Sequence, residues 1–125
     1  ILSILLQDIT ESREEKYPGR LKMTEVKKYL DEHYTEKFSL DELSERFFIS
    51  KYHLSREFHQ YYGTTLNQYV ISRRLTRAKK LLRFSVLTLD EIARSCGFYD
   101  ASYLNRQFKN SEGITASEFR KKWKN

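Results

Sequence analysis

Along "LNQYVISRRLTRAKKLLRF", residues 66–84, Leu66, Val70, Leu75, Ala78 and Leu82 recur at helical spacing, while Arg73, Arg74, Arg77, Lys79, Lys80 and Arg83 fill much of the rest. The pattern predicts one amphipathic helix within about 66–83; as a helix of about 16 residues it would be roughly 24 Å long at about 1.5 Å per residue. Shorter apolar sets flank it. Leu43, Phe47, Leu54 and Phe58 lie before it, and Ile92, Cys96, Leu104 and Phe108 after it. Each set fits a pair of short helices, the first members at about 40–47 and 89–96, with "FIS" and "GFYD" as the turns and Ser50 and Asp100 as N-caps of the second members.

Four Ser or Thr residues are followed three positions later by Glu or Gln: Ser39/Glu42, Thr65/Gln68, Thr88/Glu91 and Thr115/Glu118. In this capping-box pattern the two side chains satisfy each other's orphan backbone donors, so each pair marks a helix start. Ser39 and Thr88 are 49 positions apart, Thr65 and Thr115 are 50. Leu40-Asp41-Glu42 recur as Leu89-Asp90-Glu91, whereas Leu54, Arg56, Phe58, Gly63 and Thr65 recur as Leu104, Arg106, Phe108, Gly113 and Thr115. One unit is therefore written twice, and the second copy gains one residue inside its turn. Two copies are too few for a solenoid, which needs about three. A short helix, a tight turn and a second short helix form a helix-turn-helix. The expected fold is all-α: two helix-turn-helix subdomains, at about 39–62 and 88–111, joined by the long linker helix.

Burying Leu54 and Phe58 fixes what the second helix of each pair shows outward. Tyr52, Ser55, Arg56 and His59 share the opposite stripe in copy one, and Ser102, Asn105, Arg106 and Lys109 share it in copy two. No carboxylate interrupts either stripe. Arg can grip guanine bidentately, Asn can grip adenine, and Ser serves several bases, each good bidentate pair discriminating by about 1–3 kcal/mol. Helix-turn-helix proteins present such a stripe to the major groove. The connecting helix is short of the roughly 34 Å turn of a duplex, so both readers are expected in successive groove segments on one face, with some bending. Because the stripes differ, the expected site is asymmetric.

Composition narrows the alternatives. A chain of 125 residues is one domain's worth, and 39% hydrophobic content supplies a core; four Gly, one Pro and 32% charged residues disfavour turn-rich sandwiches. The net charge of +6 attracts polyanions. The expected partner is double-stranded DNA; the competing reading is a basic helical module that docks on an acidic protein. A lone Cys96 permits neither an intrachain disulfide nor a thiol-built zinc site, and its register with Phe47 makes it core filler. His53 and His59, six apart, lie on different sides of a helix, so no metal is expected. Carboxylates gather at helix starts, where capping explains them, and no phosphate loop or nucleophile–base pair appears, so neither an enzyme nor a cofactor is expected. No apolar run suits a membrane span, and the expected location is the cytoplasm. The apolar "ILSILLQDIT" and the polar stretch closed by Pro18-Gly19 read as the tail of a preceding region and a linker over residues 1–20, with the DNA-binding unit at 21–125.

The stretches "SREFHQYYGTTLNQYVISRRLTRAKKLL" and "LTLDEIARSCGFYDASYLNRQFKNSEGITASEFRKKW" resemble the DNA-binding domain of the AraC/XylS family of bacterial transcription regulators over residues 23–124. The resemblance implies about seven helices in two homeodomain-like units, with a first helix near 24–34. It points to Tyr52, Ser55 and Arg56 as base readers in the first unit and to Ala101, Ser102, Asn105 and Arg106 in the second, Ala101 offering only a methyl. Lys51, His59, Arg73, Arg77, Lys79, Lys80 and Lys109 are the expected phosphate partners. It also implies RNA polymerase as a protein partner and a sensing or dimerising region before residue 21. One departure stands out: the family usually has Pro where this chain has Ala116, a residue that also suits a helix start.

Overall fold

The computed structural model describes residues 17–123, with side chains from residue 22 onward. Among them the chain is all-helical: α1 Tyr17–His33, α2 Leu40–Arg46, α3 Lys51–Tyr62, α4 Leu66–Phe84, α5 Leu89–Cys96, α6 Ala101–Glu112 and α7 Ala116–Trp123. Two compact units result. One holds residues 17–30 with Ser39–Leu66; the other takes Asp31–Phe38 together with the chain from Asn67 onward.

In the first unit, Met23, Val26 and Leu30 lie on one face of α1 and are buried, as are Leu43 of α2, Leu54 and Phe58 of α3, and Leu66. Phe47 departs from expectation. It is the C-cap of α2, only half-buried, and its ring meets Tyr29 edge-on at 5.9 Å. Arg46 covers the same Tyr29 ring at 4.5 Å, an exposed-edge arrangement suited to the rim of a core.

The second unit packs Leu75, Ala78, Leu82, Ile92, Ala93, Cys96, Phe98, Leu104, Phe108 and Ala116 into one core. Burial pushes the Cys96 thiol up to about 11, so it stays protonated at neutral pH and acts as a small apolar side chain. Asp31–Phe38 is tied in by α4. Arg74 Nε donates to Tyr34 O at 2.6 Å, its second guanidinium nitrogen to Glu36 O at 2.8 Å, and the group lies over the Phe98 ring at 5.8 Å. Tyr69 donates its hydroxyl to Asp31, which Arg73 approaches at 3.3 Å.

The capping boxes at Thr88 and Thr115 follow the sequence pattern in full, and Ser39 makes its N-cap bond. Ser39 and Ser50 accept from the N–H groups of Glu42 and His53 at 3.3 and 3.2 Å. Thr88/Glu91 and Thr115/Glu118 each close both bonds of the capping box. The repeat also resolves residue by residue through the turns. Ile49 N–H donates to Ser44 O at 3.1 Å and Phe98 N–H to Ala93 O at 2.9 Å, the same bond 49 positions later. Register then changes, because Ser50 and Asp100, 50 apart, cap the following helices. Tyr99, 86% exposed, is therefore the inserted residue.

Two boundaries differ from the sequence reading. The first helix begins at Tyr17, ahead of the expected start near 24, and runs through Pro18 and Gly19, which the sequence reading assigned to a linker. Proline is tolerated in a first turn, where its missing N–H has no helical partner to lose. The linker helix runs over all of Leu66–Phe84, 19 residues or about 28 Å of axis, one residue past the expected end and longer than the expected length of roughly 24 Å. The expectation for residues 1–16 lies outside the described residues.

Candidate nucleic-acid interface

α3 starts on the Ser50 cap and is anchored by Leu54 and Phe58, which leaves Tyr52, Ser55, Arg56 and His59 exposed together. With Lys51 and Leu40 they line one open hollow. Tyr52 is 67% exposed, so it is free of the core and available to a ligand. Lys51 Nζ pairs with Asp41 Oδ1 at 2.8 Å, and the Asp41 carboxylate raises the lysine above its ordinary value. The pair is solvent-exposed, so it is a weak tie.

α6 repeats the plan with different chemistry. The Asp100 side chain accepts from Tyr103 N–H at 2.8 Å, Leu104 and Phe108 are buried, and Ser102, Arg106 and Lys109 are exposed. Arg106 lies over the Tyr103 ring at 5.7 Å. Ala101 is half-buried, and its backbone N–H donates to Asp90 Oδ1 at 3.0 Å. Asp90 is the repeat counterpart of Asp41, so one carboxylate position binds a lysine side chain in one unit and a helix N-terminus in the other. Asn105 is half-buried, with Oδ1 accepting from Ser117 N–H at 3.2 Å.

The α4 cations divide into three kinds. Lys80 is exposed, and Arg77 is exposed while donating to Ser95 Oγ at 3.1 Å. Arg73 leans on Asp31 and stacks over the Tyr34 ring at 5.2 Å, and Lys79 Nζ pairs with Glu112 Oε1 at 2.8 Å. Arg74 is half-buried: burial lowers it from its ordinary value, and its guanidinium donates to two backbone carbonyls. Nothing in the sequence pattern announced the Asn105–Ser117 bond, which joins residues 12 apart across a turn.

Among the described residues no three of His, Cys, Asp and Glu gather as a metal site requires, and no helix is long and apolar enough to cross a membrane.

A helix-turn-helix domain family model matches residues 43–122, which takes in α3 to α6. Among curated relatives, YijO of Escherichia coli, an uncharacterised helix-turn-helix transcriptional regulator, is 32% identical over 98 residues, 78% of this chain and 35% of that protein. The transcriptional activator RhaR of Cronobacter sakazakii is 35% identical over 86 residues, 69% of this chain and 30% of RhaR. The chain thus spans about a third of the length of these relatives. Among solved structures, the DNA-binding domain of the global transcriptional factor AdpA, crystallised with a target DNA, superposes with a TM-score of 0.75 at 29% identity, covering 81% of this chain and 91% of that one. The C-terminal domain of the response regulator yesN from Fusobacterium nucleatum gives 0.72 at 33%, covering 76% and 93%. Paired helix-turn-helix units of this kind define a class of DNA-binding regulators, which is not a class of enzymes. The chain belongs to the AraC family of transcription regulators.

Proposed function

We propose that this chain binds double-stranded DNA in a sequence-specific way by inserting α3 and α6 into adjacent major-groove segments on one face of the duplex. The observation that carries the reading is the matched pair Arg56 and Arg106. Both are exposed, both stand at the same turn of a capped helix anchored by a buried Leu and Phe, and neither has a carboxylate on its stripe. Tyr52 and Ser55 complete the first base-reading set, and Ser102 and Asn105 the second, with Ala101 limited to a methyl contact. The DNA in the AdpA complex supports the ligand class.

Lys51, His59, Arg77, Lys80 and Lys109 are proposed as phosphate partners. Arg73 and Lys79 join them by dividing their donors between phosphate and the carboxylates they already hold. For the full-length regulator we propose action in the cytoplasm, RNA polymerase as protein partner, and a sensing or dimerising region ahead of residue 21. Selection of preferred duplexes from a random pool tests the binding reading: an asymmetric preferred sequence with steep salt dependence is expected, and binding indifferent to sequence would refute it.

A further inference from the structure

The Asn105 amide is committed at one end. At the start of α7, the Thr115 and Glu118 N–H groups are satisfied by each other's side chains at 2.9 and 3.1 Å. Ser117 N–H, between them, donates instead to Asn105 Oδ1 at 3.2 Å. A helix's first N–H groups have no intrahelical partner, so this bond caps α7 from α6. A carboxamide is planar, with its acceptor at one end and its two donors at the other. The Ser117 N–H takes one of the two Oδ1 lone pairs and holds that end of the amide toward α7, which leaves both Nδ2 donors for a ligand. Ser55, the counterpart in the first unit, is exposed and carries a hydroxyl that can serve as donor or acceptor.

Resting on the DNA reading above, we infer that Asn105, with its Oδ1 end held on α7, reads its base pair as a hydrogen-bond donor, through Nδ2. Bidentate recognition of adenine needs the amide oxygen to accept from the adenine amino group while the nitrogen donates to N7. With the oxygen serving α7, the reader selects a major-groove acceptor instead: guanine O6 or N7, or thymine O4. The residue the sequence marks as an adenine reader is thereby converted by its neighbour helix into a reader of acceptors. Asn105 also becomes a positioning residue for the start of α7.

The test starts from the duplex that the wild-type chain selects. Selection with Asn105→Ala identifies the base pair whose preference is lost. At that pair, removing a major-groove acceptor (deazaguanine for guanine, or a thymine analogue lacking O4) is expected to weaken wild-type binding roughly tenfold and to leave the Asn105→Ala variant unchanged. Removing the adenine amino group is expected to change binding less than about twofold. Asn105→Asp, which keeps an acceptor for Ser117 N–H but has no donor, is expected to melt like wild type while losing the preference. A roughly tenfold loss on removing the adenine amino group, or no change of preference in Asn105→Ala, overturns the inference while leaving the DNA reading intact. A wild-type chain that selects no sequence overturns both.

Discussion

Phe48 and Gly97 hold the same place in the two repeats, and both have left-handed backbone, with φ of 54° and 102°. For Phe48 this conformation costs about 1–2 kcal/mol. Its side chain, 89% exposed, recovers little by packing. Phe48→Gly is expected to raise unfolding free energy by about 0.5–1 kcal/mol, the relief of strain less the glycine's greater chain entropy. Gly97→Ala should do the reverse, because a Cβ there meets Arg74 Nε at 2.7 Å and Thr35 O at 2.8 Å. A loss of about 2–4 kcal/mol is expected. Urea denaturation of both variants checks the pair.

Arg74 and Lys80 sit six apart on one helix and are expected to fail differently. Arg74→Lys cannot reach Tyr34 O and Glu36 O with one rigid fork, and should lose about 1.5–3 kcal/mol of stability. Its effect on the salt dependence of DNA binding should be nil. Lys80→Ala should change stability by less than about 0.5 kcal/mol while weakening all duplexes alike and reducing the salt slope by about 1. Calorimetry and binding at several salt concentrations separate the two roles.

Acid should loosen the helix starts. Glu91 and Glu118 are held below their usual 4.5, chiefly by the backbone N–H groups of Thr88 and Thr115 and then by the hydroxyls; Glu112 is lowered chiefly by its hydrogen bond to Lys79. A depressed folded value contributes stability that is complete above the unfolded value and lost as pH falls through the folded one. Thermal stability should therefore decline from about pH 5 to about pH 3. Glu91→Gln and Glu118→Gln keep an acceptor for the cap without a titrating proton, so the double variant should show a shallower decline. An unchanged profile would remove the capping carboxylates as its source.

Much of this was legible because the decisive signals are local. The Ser50 and Asp100 caps, the capping boxes at Thr88 and Thr115 and the buried Leu54/Phe58 and Leu104/Phe108 pairs each depend on residues within one turn of one another. The inserted residue fell inside the expected turn for the same reason. What escaped reading depends on partners distant in sequence. Arg74 counts as one more cation until Tyr34, 40 positions away, accepts from it. Lys79 does so until Glu112 is brought beside it. The early start of α1 escaped because Pro18-Gly19 signals a break, although a first turn accepts proline.

The central claim is that two unlike helices each read their own part of one site, and Arg56 and Arg106 test it most directly. Duplex selection and Kd measurement with Arg56→Ala and Arg106→Ala should show each variant weakened by about 1–3 kcal/mol, each relaxing preference in a different half of the wild-type sequence. Equal weakening on every duplex, or relaxation of the same half by both variants, would contradict it.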